Sequence, residues 1–434
     1  MNARDAALSA LVDCRVKDAW SDAVLKKHQA SLEPRDAALC SALCYGVLQN
    51  RALLDYYIDL FLTGKKKLPP MLRDILRLAV YQLVFLDRVP DSAAVNEAVN
   101  QAKTRLGRRE ANLCNGVLRT MLRSREKLTP PADYAIRYSH PPELVDLMKE
   151  SVGKRLGAIL AADNTAPALC AQWNPLKGPE EALLAAWRRE GVTAAPHPWL
   201  PHGWLLRGTG DPEKLPSFQT GLFQIQDAAA RLSVLTLDLR PGDRVLDLCA
   251  APGGKSMAAA AYMENRGEIL SCDLHEKKLP RIEAAAKRLG VTVVTALQND
   301  AAAPRPEWTR CFDAVIADVP CSGLGVIRKK PDIRYKSLES MEALPALQAR
   351  ILSQAGAYVK PGGQLLYSTC TILRRENEDV VRAFLASRPE FRPEDLTLPG
   401  PLTEQAPGMI TLYQGVNDCD GFFLCRMRKE GIAP

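Results

Sequence analysis

The 434-residue sequence contains no run of about 18 consecutive apolar residues, the length that a membrane-spanning helix needs. Its first five residues, Met1-Asn2-Ala3-Arg4-Asp5, lack the charged and then apolar layout of a secretory signal peptide. Its 12 cysteines are irregularly spaced and include no Cys-x-x-Cys, which argues against a disulfide framework and against a zinc ribbon. These absences predict a soluble, cytoplasmic protein with no membrane partner and no metal ion, and we expect a monomer.

With 47% hydrophobic residues the chain can bury real cores, and its length corresponds to about two to four domains. A disordered tail protein and a small stapled scaffold are therefore excluded. The net charge is +7, and residues 101–127 alone carry eight basic and two acidic side chains. This pattern suits a phosphate-backbone contact, although a solvated helix face has the same composition. The candidate phosphate contacts are Arg105, Arg108, Arg109, Arg119, Lys65-Lys66-Lys67 and Arg328-Lys329-Lys330.

The chain divides into three regions that differ in their pattern of apolar residues, glycines and prolines. Residues 1–128 have few glycines and apolar residues spaced by three and four, as in 72–86, which predicts an all-α bundle. Residues 129–220 begin at a pair of proline-marked breaks and carry mixed signals, which we interpret as a small α+β linker module. Residues 221–434 alternate strand-like and helical stretches, which predicts an α/β domain.

The third region is typical of a mostly parallel, doubly wound sheet, in which ligands bind beyond the carboxyl ends of the strands. Polar residues at those strand ends are therefore the candidate site. The predicted strands are 244–248, 268–272, 292–296, 314–317 and 364–367, and the predicted helices include 277–289 and 342–358.

A turn of small residues follows the first of these strands. Paired glycines let a backbone approach a ligand closely, and the N-terminus of the next helix can contact the same ligand. The spacing matches neither the Walker A motif nor the dinucleotide motif Gly-x-Gly-x-x-Gly. The candidate cofactor-binding residues in this turn are Cys249, Ala250, Ala251, Pro252, Gly253, Gly254 and Lys255.

Acidic residues follow the second and third strands. Asp273 is positioned to accept hydrogen bonds from ribose hydroxyls, and Asp300 to meet the edge of an adenine. Each acid alone would also suit a helix cap. Together with the glycine turn, the two acids predict an adenosine-containing ligand whose charged end lies at the turn.

Cysteines follow the fourth and fifth strands, in Asp318-Val319-Pro320-Cys321 and in Ser368-Thr369-Cys370. An isolated cysteine is most often inert packing. Two cysteines at the ends of consecutive strands instead bring two thiols and the Asp318 carboxylate over one ligand cleft, which favours a chemical role.

The motifs Leu-Cys-Ala-Ala-Pro-Gly-Gly-Lys at 248–255, Asp-Val-Pro-Cys-Ser-Gly at 318–323 and Ser-Thr-Cys-Thr at 368–371 resemble those of RNA cytosine-C5 methyltransferases. Residues 45–48 and 115–119 are among the N-terminal segments that resemble a NusB-like RNA-binding domain. This order of domains resembles the RsmB (Sun/Fmu) family, whose members methylate one cytosine of 16S rRNA. The resemblance covers nearly the whole chain.

The resemblance implies transfer of a methyl group from S-adenosyl-L-methionine to cytosine C5, with 16S rRNA as the partner. It makes Cys370 the nucleophile that adds to C6 and gives Cys321 a part in resolving the adduct. The residues alone leave these two roles open, because DNA cytosine methyltransferases use the Pro-Cys position as the nucleophile. Asp318 would also contact S-adenosylmethionine and hydrogen-bond the N3 and N4 edge of the base, which requires a raised carboxyl pKa. Lys255 would bind the cofactor, favour a thiolate or cap a loop.

Other classes of function remain open at this point. A small-molecule or base-nitrogen methyltransferase needs no nucleophilic cysteine, and its amine-directed forms commonly end the fourth strand with a different motif. A non-catalytic RNA-binding assembly or antitermination factor would use only residues 1–128, and a methyltransferase acting on another RNA would use the same motifs. A dehydrogenase is disfavoured because the dinucleotide glycine pattern is absent.

Overall fold

The computed structural model describes residues 2–17, 21–62 and 67–431, which form two compact units. The first unit comprises Met1–Lys149, Leu160–Thr165 and Ile327–Lys336, and the second comprises Glu150–Ile159, Ala166–Val326 and Ser337–Pro434. Within the described ranges, no helix is both long and apolar enough to cross a bilayer.

The first unit is a helical bundle, as predicted for residues 1–128. Its longest helices pack around one apolar core. Its helices are α1 (Ala3–Lys17), α2 (Ser21–Gln29), α3 (Pro34–Gln49), α4 (Arg51–Asp59), α5 (Pro70–Phe85), α6 (Asp91–Leu106), α7 (Arg108–Arg123), α8 (Tyr134–Arg137) and most of α9 (Pro142–Val152).

Helix α5 lies at the centre of this core. Leu72 and Leu76 are fully buried, as their spacing predicts, but Asp74 and Arg77 on another face of the helix are buried as well. Arg77 donates to Asp74 Oδ1 at 2.8 Å and to Asp55 Oδ2 at 2.6 Å, so the buried charges are paired. An unpaired buried charge would cost several kcal/mol, which is why a helix buried on both faces keeps these partners together.

A second buried arginine, Arg334, connects the segment 327–336 with the helices of the first unit by hydrogen bonds. Arg334 belongs to the segment 327–336, and its side chain is 1% exposed. It donates to the carbonyls of Gln49 at 2.8 Å, Ser139 at 3.2 Å and Asp163 at 3.2 Å. Because a guanidinium has five donors, one side chain can satisfy several backbone carbonyls at once.

The second unit contains a small antiparallel sheet that corresponds to the predicted α+β module. Its order is β2-β3-β1-β4. Its strands are short, of three to five residues each, which is why this stretch of the sequence carries mixed signals. The elements of this module are β1 (Leu169–Trp173), α11 (Glu180–Arg189), β2 (Thr193–Pro196), β3 (Gly203–Arg207), α12 (Pro216–Gln219) and β4 (Phe223–Ile225). Helix α10 (Leu156–Ala162) precedes them, and its residues are divided between the two units.

The larger part of the second unit confirms the predicted α/β fold. Its sheet has the order β10-β12-β9-β8-β5-β6-β7, in which β7, β6, β5, β8 and β9 are parallel and β12 is antiparallel. The strands are β5 (Arg244–Asp247), β6 (Glu268–Asp273), β7 (Val294–Gln298), β8 (Phe312–Asp318), β9 (Val359–Thr369), β10 (Phe391–Pro393), β11 (Met409–Leu412) and β12 (Phe422–Lys429). The helices are α13 (Ala228–Leu235), α14 (Gly254–Tyr262), α15 (Leu279–Leu289), α16 (Glu339–Glu342), α17 (Leu344–Tyr358) and α18 (Glu378–Ser387).

The order of the strands reverses between β5 and β8, so the chain leaves these neighbouring strands in opposite directions. Such a switch point opens a crevice at the carboxyl ends of the strands. The prediction for the third strand, 292–296, was two residues early. The strand it marks, β7, is a half-exposed edge strand, so its apolar pattern defines its ends poorly.

Candidate active site

The turn of small residues connects β5 to α14 at the switch point. Gly253 caps α14 with a φ of 103°, a left-handed conformation that favours glycine. The Ala250 N–H donates to the Cys272 carbonyl at 2.7 Å, which holds the turn against the end of β6. Burial raises the pKa of the Cys249 thiol, so this cysteine stays neutral. The predicted turn residues thus form a compact cradle in front of a helix N-terminus.

Asp247, the last residue of β5, is a site residue that the sequence reasoning missed. Its Oδ2 accepts from Ser256 Oγ at 2.7 Å, while its buried Oδ1 has no hydrogen-bond partner among the described residues. Burial raises the pKa of this carboxyl to about 6. An unpartnered buried carboxylate oxygen beside the glycine turn fits a ligand with a cationic donor, such as an ammonium group. The strand-end rule that selected Asp273 applies equally to Asp247.

Asp273 and Asp300 lie at the ends of β6 and β7, where they were predicted. The Asn299 N–H donates to the Asp273 carbonyl at 3.0 Å, which aligns the two strand ends. Asp273 is buried, and its Oδ1 accepts from the His275 N–H at 3.0 Å and pairs with Lys278 at 3.3 Å. Asp300 is exposed, and its Oδ1 accepts from the Ala302 N–H at 2.9 Å, so it caps its own turn.

We expect Asp273→Ala to weaken binding of S-adenosylmethionine by about 1–3 kcal/mol, because a charge-assisted hydrogen bond to ribose would be lost. Calorimetric titration of the folded variant measures this change. Glu268→Ala is the matched control, since Glu268 begins the same strand and pairs with Arg244 far from the glycine turn. Unchanged affinity in a folded Asp273→Ala protein would remove Asp273 from the cofactor site.

An ion pair joins α14 to the end of β8. Lys255 Nζ contacts Asp318 Oδ2 at 2.7 Å, and Ser368 Oγ donates to Asp318 Oδ1 at 2.7 Å. The Lys255 ammonium also lies 5.2 Å from the centre of the Phe422 ring. Burial alone would lower the pKa of Lys255, but Asp318, with smaller contributions from Asp247 and Cys370, outweighs burial and raises it. The lysine therefore stays charged. Ser368 and Phe422 were not singled out as site residues.

The two predicted thiols meet at the ends of β8 and β9. Cys321 Sγ and Cys370 Sγ are 3.3 Å apart. Asp318 is opposite Ser368 in the parallel register, and the Gly325 N–H donates to the Cys370 carbonyl at 3.0 Å, so the two loops are joined. The hydrogen bond to Cys370, together with burial, raises the pKa of Cys321 well above its ordinary value. Cys321 is thus a neutral thiol that can donate to the Cys370 sulfur.

Glycine is required where the cysteine loop passes the start of β12. A Cβ atom on Gly325 would lie 1.9 Å from the Gly421 carbonyl oxygen, which is closer than any real contact. The Gly421 N–H in turn donates to the Gly325 carbonyl at 2.9 Å. These two glycines let β12 approach the loop that carries Cys321.

The predicted basic contacts that the structure describes lie in the first unit. Arg105, Arg108, Arg109 and Arg119 are exposed on α6 and α7. Lys67 is exposed, whereas Lys65 and Lys66 lie outside the described residues. In the second basic triplet, Arg328 and Lys329 are partly buried and Lys330 is exposed.

Profiles of three protein families match successive parts of the chain. The NusB family matches residues 1–123, a ferredoxin-like domain of RsmF/B-like methyltransferases matches residues 140–211, and the family described as 16S rRNA methyltransferase RsmB/F matches residues 234–428. The order of the three matches is the order of the three predicted regions.

Individual relatives match over the full chain. The probable ribosomal RNA small subunit methyltransferase B of Bacillus subtilis is 36% identical over 99% of both chains. Ribosomal RNA small subunit methyltransferase B of Vibrio cholerae is 34% identical over 99% of this chain and 98% of its own. The crystal structure of PH0851 superimposes with a TM-score of 0.79 at 26% identity and covers 98% of each chain. The chain therefore belongs to the RsmB/F family of 16S rRNA methyltransferases, and S-adenosyl-L-methionine is its methyl donor.

Proposed function

We propose that this protein methylates C5 of a cytosine in 16S rRNA through a covalent adduct between Cys370 and C6 of the base. The observation that carries the proposal is the pair of thiols 3.3 Å apart beside the Lys255–Asp318 ion pair. A methyltransferase that acts on an amine or on an oxygen has no use for two thiols at this point. Family membership supports the rRNA substrate.

Cytosine C5 is a poor nucleophile, and the Cys370 thiolate overcomes this by adding to C6. The sulfur electron pair forms the S–C6 bond, and the C5–C6 double-bond pair moves toward C5. Bound S-adenosylmethionine would supply an electrophilic methyl group for C5 and would leave as S-adenosylhomocysteine. Removal of the C5 proton then restores the double bond, and the C6–S bond breaks to return the Cys370 thiolate.

Cys321 suits the release step because its state changes during the reaction. In the resting site its hydrogen bond to Cys370 is the largest cause that raises its pKa. That hydrogen bond and the charge on Cys370 both disappear once the Cys370 sulfur is bonded to C6. Two of the causes that keep Cys321 protonated are then gone. The Cys321 thiol passes its proton to solvent, and the thiolate formed in this way accepts the C5 proton and becomes a neutral thiol again.

We assign Asp318 to the N3 and N4 edge of the base, where sharing a proton with N3 makes the ring a better acceptor of the thiolate. The Asp318 side chain is partly exposed, so a base can reach it. Lys255 and Ser368 hold its two oxygens in the resting site. A base can approach these groups only from a single strand or after flipping out of a helix.

The test of this function is methylation of 16S rRNA with labelled S-adenosylmethionine, followed by nucleoside mass spectrometry and bisulfite sequencing. We expect 5-methylcytidine at one position, which is absent from the rRNA of a deletion strain and restored by complementation. Label in another nucleoside would overturn the C5 assignment. Label in a different RNA would overturn the substrate. No label at all would favour a non-catalytic RNA-binding role.

We further propose that the exposed arginines of α6 and α7 contact rRNA phosphates. Arg108 and Arg109 begin α7, where the unpaired N–H groups of the helix add to their positive charge. Replacing Arg105, Arg108 and Arg109 together with glutamine should weaken RNA binding. The slope of log K against the logarithm of the salt concentration should also become less steep, by about 2 for three lost contacts to a single strand.

The matched control for this triple variant removes the same charge elsewhere. Arg188, Arg189 and Lys214 are exposed residues of the second unit. Binding of both variants to 16S rRNA is measured between low and moderate salt, and S-adenosylmethionine affinity should be unchanged in both. Equal salt slopes for the two triples would mean that the α6–α7 arginines are only solvated.

A further inference from the structure

Two fully buried polar side chains hold the backbone on both sides of Cys321. Gln348, on α17, donates from Nε2 to the Pro320 carbonyl at 2.9 Å. The Ser322 N–H donates to Glu376 Oε2 at 2.9 Å. Pro320 and Ser322 are the immediate neighbours of Cys321, so both peptide groups that flank the thiol are anchored.

The two anchors are joined to each other. Gln348 Nε2 also donates to Glu376 Oε2 at 2.9 Å, and the Tyr367 hydroxyl donates to the Glu376 carbonyl at 2.6 Å. Tyr367 belongs to β9, three residues before Cys370. One network therefore connects the backbone around Cys321 with the strand that ends at Cys370.

Burying these polar side chains costs free energy of folding. Gln348 and Glu376 are both 0% exposed, and each keeps one side-chain oxygen without a hydrogen-bond partner among the described residues. An apolar pair of the same size would fill this space without that penalty. An apolar pair, however, could neither donate a hydrogen bond to the Pro320 carbonyl nor accept one from the Ser322 N–H.

We propose that Gln348 and Glu376 are positioning residues that fix Cys321 against Cys370. This inference rests on the proposed function, in which the two sulfurs act in successive steps at one base. Neither side chain hydrogen-bonds a thiol in the described structure. They act through the main chain, and a shift of the Cys321 loop would separate the two sulfurs without removing either.

Alkylation tests this positioning without RNA or cofactor. Iodoacetamide is added to the full-length protein, and the modified cysteines are followed by peptide mass spectrometry. Gln348→Leu keeps the volume but frees the Pro320 carbonyl, and we expect Cys321 to react about 2–10-fold faster, as for loss of one buried hydrogen bond. Cys272 and Cys425 are fully buried and should stay unreactive, which separates local loosening from global unfolding.

A second variant changes charge but keeps the anchor. Glu376→Gln retains an oxygen for the Ser322 N–H, yet it removes a negative charge that contributes to the raised pKa of Cys321. The pH profile of Cys321 alkylation should therefore shift to lower pH in Glu376→Gln, whereas a residue that only fills space would not move it. Asp379→Asn is the matched control, because Asp379 is exposed on α18 and pairs with Arg374 and Arg382.

Turnover gives the catalytic readout. With rRNA and S-adenosylmethionine, Gln348→Leu should accumulate covalent protein–RNA adduct, as expected for Cys321→Ala, with unchanged affinity for S-adenosylmethionine. Wild-type alkylation of Cys321 in both Gln348→Leu and Glu376→Gln would overturn the positioning role. Absence of adduct in Cys321→Ala would instead overturn the proposed function, and the alkylation result would still decide the positioning role.

Discussion

Replacing Cys370 with alanine should abolish methyl transfer and leave no covalent protein–RNA complex, although S-adenosylmethionine and RNA still bind. The ring cannot be activated at C5 without a nucleophile at C6, and alanine supplies none. Replacing Cys321 should have the opposite effect on the adduct. Cys370 can still attack, but the C5 proton lacks its acceptor, so a denaturant-resistant adduct should accumulate in the presence of S-adenosylmethionine.

A denaturing gel with labelled 16S rRNA compares the two variants directly. Cys311→Ala is the control for cysteine loss, since Cys311 lies just before β8 and its thiol hydrogen-bonds the Glu307 and Thr309 carbonyls. Adduct in Cys370→Ala and none in Cys321→Ala would reverse the two roles and make the site similar to that of DNA cytosine methyltransferases. Full activity in both variants would end the cytosine-C5 proposal.

Asp318→Asn should lower the single-turnover rate of methyl transfer by about 10²–10⁴-fold, the usual contribution of a positioned acid or base. The amide keeps the size of the side chain and can still accept a hydrogen bond from Ser368. It cannot share a proton with the base, and it leaves the Lys255 ammonium without its carboxylate partner. We therefore expect the rate to fall much more than the affinity for S-adenosylmethionine.

Asp313→Asn is the matched control for this prediction. Asp313 stands near the opposite end of the same strand, β8, where it pairs with Lys360 and accepts from the Arg244 N–H. This control loses a more exposed ion pair of the same strand, and thermal melting of both variants measures how much of any loss is structural. If Asp318→Asn lowers mainly the affinity for S-adenosylmethionine, Asp318 is a cofactor ligand rather than a base contact.

The order of the domains and the candidate site residues at the strand ends were predictable from the sequence. Alternation of apolar runs with helices specifies a doubly wound sheet, and the carboxyl ends of its strands must share one edge. That rule selected Asp273, Asp318, Cys321 and Cys370 without any coordinates. Asp247 was not selected because the predicted strand, 244–248, extended past it, whereas β5 ends at Asp247.

What the sequence could not supply were contacts between residues far apart in the chain. Gln348 and Glu376 meet Pro320 and Ser322 only after α17 has packed beside β8 and β9. Nothing in their local pattern distinguishes them from other polar residues of a helix and a loop. Their role follows from burial together with hydrogen bonding, which are properties of the packed molecule.

The sequence by itself determined the domain order and the fold class and selected the candidate site residues, because periodicity and strand-end position are local properties. Only the tertiary structure decided which of these residues are partners. It brought the Cys321 and Cys370 sulfurs to 3.3 Å and Lys255 to 2.7 Å from Asp318. The parallel pairing of β8 with β9 sets the first distance, and the packing of α14, which follows β5, sets the second. Both distances depend on contacts between segments that are far apart in the chain.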